Sequence, residues 1–319
     1  MEASSFSHFS KGTIVAQNND HVVCRLDPEY GQGTASVYAV MPGVEVISFN
    51  FQTSRFIPTL HSKSNILELN HCQEGRAECK MKDGCLQYIG EGDLFMNTMS
   101  NHSHCIELPL GYYKGMNITI DLEKITGQIS KYLPDFPMDV QGIANRFFSN
   151  DECFFIQAKE EIQHIFCGMY SVPAEARTTF FRLKVLETLI YLHYFDIASE
   201  KQKTIYARQQ VDIIKQIKKK MIEDFDRRFT IEELAQQYCI SPTVLKTTFK
   251  GVYGVSIAAF MKAYRINQAA SMLQKTHKSI GDIALTVGYK SQSKFGAAFK
   301  EIYKTSPLEY RSKNQTKLN

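Results

Sequence analysis

The sequence predicts an α+β protein of two domains, a β-barrel with packing helices followed by an all-helical domain. At 319 residues the chain is long enough for two domains of roughly 150 residues each. Its apolar pattern changes near residue 120 from short alternating runs to a repeat of three to four residues. Residues 1–204 hold 17 Lys or Arg and 24 Asp or Glu, a net charge of −7, whereas residues 205–319 hold 20 and 9, a net charge of +11. This asymmetry indicates a polyanion as the partner of the second domain.

The composition excludes several classes of protein. Hydrophobic residues make up 44% and charged residues 22% of the chain, which is typical of globular proteins and not of disordered or collagen-like chains. No apolar run approaches the 18 or so residues of a membrane span, and Met1 to His8 lack the pattern of a secretory signal. We therefore expect a cytoplasmic protein whose eight cysteines are reduced thiols.

Residues 13–120 are predicted to form a β-barrel or a β-sandwich. Apolar or alternating runs, cut by Gly, Pro, Asn and Asp, are typical of antiparallel strands joined by tight turns. Runs of this kind begin at Val44, Ile66 and Leu86. Gly90 to Met96 combines a glycine-rich turn with an apolar strand, a pattern common in small barrels.

Helices are predicted after residue 120. Phe155 to Tyr170 and Ala174 to Ile197 carry apolar residues at helical spacing, and these helices are expected to cover the barrel or to form a homodimer interface. The polar stretch at residues 199–208 is the predicted linker. The predicted domains are therefore 1–198 and 209–319.

The basic half contains an internal repeat. Ile231-x-x-Leu-Ala resembles Ile280-x-x-Ile-Ala, and a second match about 50 residues apart follows a short turn in each copy. That second match pairs Leu245, Phe249, Lys250, Tyr253 and Ser256 with Phe295, Phe299, Lys300, Tyr303 and Ser306. Each copy is predicted to be a helix-turn-helix, over about residues 230–250 and 279–300.

Helix-start signals support this assignment. Thr230 with Glu233 has capping-box spacing, and Ser279 with Asp282 has a weaker version of it. Ser241 followed by proline marks the start of a second helix, and Ser291 is its counterpart. One connecting helix is predicted from about Ser256 to Leu273, with an apolar stripe toward both copies.

Over residues 218–312 the sequence resembles the paired helix-turn-helix domain of AraC-type transcription regulators. The resemblance is carried by several motifs in order: Leu234-Ala235, Leu245-x-x-x-Phe249-Lys250, Tyr253-Gly254-x-Ser256, Arg265-x-x-x-Ala269-x-x-x-Leu273, Ile283-Ala284-x-x-x-Gly288-Tyr289, Phe295-x-x-x-Phe299-Lys300 and Ser306-Pro307-x-x-Tyr310-Arg311. It implies a sequence-specific DNA-binding transcription regulator with double-stranded promoter DNA as partner and RNA polymerase as a further candidate partner.

The second helix of each unit is expected to enter the major groove with its early outward side chains at the bases. Lys246 is the first candidate for a guanine, and Thr243 or Thr247 for a thymine methyl or a phosphate. Gly296 and Ala297 lack the long polar side chains of many family members, which favours phosphate and shape contacts in the second unit. The predicted DNA-binding set is Thr243, Lys246, Thr247, Lys250, Gln292, Ser293, Lys294 and Lys300.

The first domain resembles the cupin-like effector domain of the same regulators. The resemblance is carried by the order of its elements and by the stretch from Gly90 to Leu94, which is followed by His102 and His104. This implies control by a small molecule of unknown identity, and the stretch from Pro242 to Ile257 resembles the subgroup that answers to iron-siderophore complexes.

A metal- or thiol-redox-responsive regulator is the alternative, because soft ligands are dense in this domain. They are Cys72, Cys79, Cys85, Cys105, His71, His102 and His104. Their spacing lacks the close cysteine pairs of structural zinc sites. No cofactor is predicted. A cupin-type enzyme fused to the DNA-binding domain is a remote alternative, because the chain has no nucleophile elbow, phosphate loop or dinucleotide fingerprint, so we expect no enzyme.

Overall fold

A computed structural model describes residues 12–18, 21–56, 65–80, 84–98, 106–136, 138–148, 153–200 and 204–314. The chain divides into two compact units, Met1–Ile205 and Tyr206–Asn319. The first is rich in β-sheet and the second is helical, which confirms the predicted α+β class. No helix in the described ranges is both long and apolar enough to cross a membrane.

Unit 1 contains twelve described strands. They are β1 (Gly12–Gln17), β2 (His21–Leu26), β3 (Gln32–Met41), β4 (Val44–Gln52), β5 (Arg55–Phe56), β6 (Ile66–Gly75), β7 (Ala77–Lys80), β8 (Leu86–Ile89), β9 (Leu94–Thr98), β10 (Ile106–Glu107), β11 (Tyr113–Asp121) and β12 (Phe154–Ile156). One sheet has the order β1-β2-β3-β4-β11-β6-β9-β12 and the other the order β5-β10-β7-β8. All the described pairings are antiparallel.

The predicted barrel is not seen as a closed structure within the described ranges. The strands form two open sheets, and the larger sheet ends at β1 on one side and at β12 on the other. Alternating apolar residues predict that a segment is a strand, but closure depends on which strands pair, and that is set by contacts distant in sequence. The arrangement is a sandwich of two sheets.

Each face of the larger sheet is covered by its own hydrophobic cluster. Val46, Leu69 and Ile118 lie on the face that packs against the helices of unit 1. Phe49 and Cys72 lie on the opposite face, in a cluster with Ile89 of the smaller sheet. We call this second side the inner face, because it looks toward the other sheet. Burial on both sides holds the long central strands in one register.

The helices of unit 1 are α1 (Leu122–Ile125), α2 (Val140–Phe147), α3 (Glu160–Cys167) and α4 (Arg177–Tyr194). The helix predicted to start at Phe155 is partly wrong, because Phe155 pairs with Phe95 in the sheet and the helix starts at Glu160. A short apolar run fits an edge strand and a helical turn equally well. Here the hydrogen bonds to the β9 backbone make the segment a strand. The predicted second helix corresponds to α4.

Unit 2 contains seven described helices. They are α5 (Arg208–Glu223), α6 (Ile231–Gln237), α7 (Pro242–Tyr253), α8 (Ile257–Lys275), α9 (Ile280–Thr286), α10 (Gln292–Tyr303) and α11 (Pro307–Asn314). Six of them begin with a hydroxyl side chain that accepts a hydrogen bond from a backbone N–H of the first turn: Thr230, Ser241, Ser256, Ser279, Ser291 and Ser306. The capping box at Thr230 and Glu233 is formed in both directions. Local sequence therefore sets where these helices start.

The two copies of the repeat use left-handed backbone at equivalent turns. Cys239 (φ 52°) and Gly288 (φ 80°) follow the first helix of each copy, and Gly254 (φ 79°) and Lys304 (φ 58°) follow the second. Cys239 and Lys304 are the non-glycine residues with positive φ among the described residues. Each copy therefore places one side chain where glycine is favoured.

We expect Cys239→Gly to stabilise unit 2 by about 0.5–1 kcal/mol, because glycine adopts positive φ without the steric cost that a Cβ imposes. The exposed thiol makes only a long contact, 3.9 Å from Sγ to the Gln236 carbonyl oxygen, so little is lost with it. Urea unfolding of the full chain measures the change. Cys239→Ala, which removes the thiol but keeps the Cβ, is the control, and equal effects of the two substitutions would contradict the argument.

Candidate nucleic-acid interface

Helix α7 has one buried and one exposed face. Leu245 and Phe249 are fully buried, as predicted for core positions. The opposite face carries four exposed residues of the predicted DNA-binding set: Thr243, Lys246, Thr247 and Lys250. The Thr247 hydroxyl donates to the Thr243 carbonyl oxygen (2.9 Å), so its proton is used within the helix and its methyl group remains for a partner.

Helix α10 repeats this arrangement. Phe295 and Phe299 are fully buried. The other four residues of the predicted set are exposed: Gln292, Ser293, Lys294 and Lys300. Next to them, Ala297 is exposed and a Cβ added at Gly296 would meet nothing within 4 Å. The centre of this exposed face is therefore flat, with polar side chains at its two ends.

One helix holds the two candidate reading helices together. Helix α8 contacts both α7 and α10. Its residues Ile266, Ala269 and Leu273 share a hydrophobic cluster with Phe295 and Phe299. Since α6 contacts α7 and α9 contacts α10, each copy is a packed helix-turn-helix joined to the other through α8. The two exposed faces therefore have a fixed spacing within unit 2.

The lysines on the two reading helices have no ion-pair partner in the described part of the chain. No salt bridge involves Lys246, Lys250, Lys294 or Lys300, while other lysines of unit 2 are paired. Unpaired ammonium groups on one surface create a positive potential that attracts phosphate. The charge needed at a nucleic-acid interface is thus available on both reading helices.

Several other basic residues of unit 2 have structural roles instead. The Arg265 guanidinium donates to the carbonyl oxygens of Phe225 (2.6 Å) and Arg227 (2.8 Å). Arg311 donates to the Lys278 carbonyl oxygen (2.6 Å). The Lys218 ammonium lies 5.1 Å from the centroid of the Tyr253 ring, and burial lowers its pKa. Net charge therefore overstates the number of basic groups that face a partner.

Sequence reasoning missed one residue beside the second reading helix. Lys290 is exposed and comes directly before Ser291, the residue that caps α10. The start of a helix favours anions because its backbone N–H groups point outward. The signal in the sequence was a lysine directly before the serine that caps the second helix of the unit.

The cysteine and histidine residues of unit 1 are not gathered into one site among the described residues. The His71 ring stacks on Phe166 of α3, and burial lowers the pKa of His71 to about 4. Its neighbour Cys72 lies on the inner face, where burial raises the pKa of its thiol to about 12. Adjacent residues of a strand point to opposite faces, so these two cannot share a ligand. No group of three potential metal ligands occurs in the described ranges, and Cys105, His102 and His104 lie outside them.

Comparison with known proteins locates a family match in the same region. A family described as "Helix-turn-helix domain" matches residues 234–313. The chain is 34% identical over 98 residues to the transcriptional regulator MtrA of Neisseria gonorrhoeae, covering 31% of this chain and 33% of that protein. It is 33% identical over 94 residues to the arabinose operon regulatory protein of Escherichia coli K12, covering 30% of this chain and 32% of that protein. The chain thus spans about a third of the length of these relatives.

Among solved structures, a similar one is the C-terminal domain of AraT, a response regulator from Geobacillus stearothermophilus. It is 28% identical, with a TM-score of 0.32, and the match covers 34% of this chain and 90% of that domain.

Proposed function

The carboxy-terminal part of this chain is a helix-turn-helix domain of the AraC family, and on that premise we propose that the protein is a sequence-specific DNA-binding transcription regulator. The observation that carries the proposal is the pair of exposed faces on α7 and α10, both bearing unpaired lysines and both held by α8. A helix of this kind fits the major groove, and two on one rigid support fit successive groove segments on one side of a duplex.

Each reading helix has a different task in this proposal. On α7, Lys246 contacts a guanine, the Thr247 methyl group meets a thymine methyl, and Thr243 offers its methyl group to a thymine or its hydroxyl to a phosphate. On α10, Gln292 and Ser293 stand at the start of the helix, where side chains reach base edges. The flat centre of the α10 face favours recognition through phosphate contacts and groove shape. One chain then reads an asymmetric site of about 20 base pairs.

Selection of bound duplexes from a random pool by the full-length protein tests the proposal. We expect enrichment of one asymmetric motif with two clusters of fixed bases. Affinity for the selected site should fall steeply with salt, with a log–log slope of about −0.9 for each phosphate neutralised. Selection that enriches no motif, or binding that is independent of salt, would refute the proposal.

Lys246→Ala is expected to weaken binding to the selected site by about 1–3 kcal/mol, because it removes a contact to a base edge. Electrophoretic mobility shift at one fixed salt concentration measures the change. Lys219→Ala is the matched control, because the Lys219 side chain is 78% exposed and lies on α5. An equal loss on random-sequence DNA would show that Lys246 contacts phosphate and not a base.

We further propose that unit 1 binds a small effector and pairs two chains. Helix α4 supports the pairing, because it exposes two large apolar side chains, Leu183 (60% exposed) and Tyr194 (70%). Tyr191, three residues before Tyr194, lies on the same side of the helix. Analytical ultracentrifugation of the full-length protein should therefore show a dimer, and Leu183→Glu should dissociate it. If the parent protein has the mass of one chain at every concentration, this part of the proposal is refuted.

A further inference from the structure

The first residue of unit 2 lies against the first reading helix. Tyr206 falls within the predicted linker, two residues before α5 begins at Arg208, and it belongs to unit 2. A Cβ built on Gly251 of α7 would lie 2.8 Å from Cε1 of the Tyr206 ring, and closer still to Cζ and to the hydroxyl oxygen. The phenol ring therefore occupies the space that any side chain at position 251 would need.

This close approach gives a physical reason for a glycine within α7. Gly251 lies two residues before the last residue of the helix, and its φ is outside the left-handed region. Its backbone conformation is therefore one that any residue adopts, and alanine would be more favourable there than glycine. A glycine inside a helix often marks a place of close packing. At Gly251 the group that packs is the ring of Tyr206.

The helix that follows Tyr206 also contacts α7. Helix α5 packs against α7, and the ammonium of Lys218 on α5 lies 5.1 Å from the centroid of the Tyr253 ring on α7. Because Tyr206 precedes α5 by two residues, this packing keeps the tyrosine near Gly251. The segment from Tyr206 to Lys218 thus contacts the last turn of α7 at two neighbouring places.

Tyr206 contacts α7 at the far end of its exposed face. Gly251 comes four residues after Thr247, so it lies on the same side of the helix, one turn farther along. In the proposed function the bases meet the start of this face, at Thr243 and Lys246. The ring of Tyr206 therefore holds the helix at the end away from the bases and leaves the start of the face open.

The second copy of the repeat holds its reading helix differently at the equivalent position. The repeat places Glu301 of α10 where α7 has Gly251. Glu301 forms an ion pair with Lys262 of the connecting helix α8. The end of α10 is therefore tied to the centre of unit 2, whereas the end of α7 contacts Tyr206, where the chain passes from unit 1 to unit 2.

We propose that Tyr206 is a positioning residue for the first reading helix. Its ring, packed on Gly251, sets the orientation of α7, so that specific recognition by the first helix-turn-helix depends on a residue outside that motif. A displacement of the chain at this junction then acts on α7 through a direct contact. The inference rests on the proposed function, because the orientation of α7 affects recognition only if α7 reads DNA.

Hydrogen exchange of the full-length protein without DNA tests whether Tyr206 orders α7. We expect Tyr206→Ala to speed exchange of the amides of residues 245–253 about tenfold, because the end of the helix loses a packing partner. Exchange of residues 295–303 should stay within about twofold of the parent, which also checks that unit 2 remains folded. Glu301→Gln, at the equivalent position of the second copy, is the matched control and should leave α7 unchanged.

A double-mutant cycle on the selected duplex tests the consequence for recognition. Tyr206→Ala should weaken binding about tenfold, and Gly251→Ala about as much, because its methyl group displaces the ring. Alanine favours a helix over glycine, so a weaker helix cannot explain the second loss. The double variant should bind no more weakly than Tyr206→Ala alone, because the ring that the methyl group displaces is already absent.

Tyr206→Phe keeps the ring and should bind the duplex within about twofold of the parent. If it binds as weakly as Tyr206→Ala, the hydroxyl acts directly and the positioning role is overturned. Unchanged exchange in α7, or losses that add in the double variant, would overturn it as well. Because the exchange experiment contains no DNA, it decides whether Tyr206 orders α7 even if the DNA selection fails.

Discussion

Gly288→Ala is expected to destabilise unit 2 by about 2–4 kcal/mol and to abolish specific DNA binding. Gly288 has φ 80°, and an added Cβ would lie 2.5 Å from the carbonyl oxygen of Asp226. That atom belongs to the backbone, so it cannot turn away as a flexible side chain would. The turn between α9 and α10 must open, which moves the second reading helix. Urea unfolding and hydrogen exchange of residues 280–303 measure the loss in the full-length protein.

Gly281→Ala is the matched control in the same helix-turn-helix. Its added Cβ would approach no closer than 3.6 Å to Gln292 Oε1. Alanine favours helix over glycine, so this substitution should stabilise the unit by up to about 1 kcal/mol. Equal effects at the two positions would contradict the steric argument.

Phe299→Ala is expected to cost about 3–5 kcal/mol of unfolding free energy, because it removes one of the two fully buried phenylalanine rings from the core of the second helix-turn-helix. Phe299 is fully buried. Its ring centroid lies 4.8 Å from that of Tyr303, 5.3 Å from Tyr310 and 5.8 Å from Phe295. The cavity would loosen the contact between α8 and α10. Chemical denaturation followed by fluorescence and hydrogen exchange reports the change.

A control from the same helix separates core packing from helix propensity. Ile302 is 36% exposed, and Ile302→Ala should change the free energy of unfolding by no more than about 0.5 kcal/mol. If Phe299→Ala cost as little as Ile302→Ala, the aromatic cluster would not be what holds α10 in place.

Unit 2 was predictable in detail because its determinants are close together in sequence. Caps such as Ser241 and Thr230 act within one helical turn, and the apolar spacing that places Leu245 inward also places Lys246 outward. The roles of individual basic residues were not predictable. Arg265 and Lys246 are both basic residues on helices, but only the folded chain brings two carbonyl oxygens to the guanidinium of Arg265.

Unit 1 was less predictable because its determinants are far apart in sequence. The apolar residues around Phe155 fit a strand as well as a helix. The pairing of Phe155 with Phe95 makes this segment a strand. The described strands form two sheets without a closed barrel, and the sequence could not decide between a barrel and a sandwich, because closure depends on which strands pair and not on any single strand.

The sequence by itself determined the helical repeat, the starts of its helices and the outward residues of the reading helices, since each depends on residues within a few positions of one another. Only the tertiary structure decided that Glu45, Thr119, Glu68 and Asn97 form one row across the larger sheet. These four residues come from four strands spread between positions 45 and 119. Strand register brings them together, and register is fixed by burial on both faces of the sheet, which no local pattern encodes.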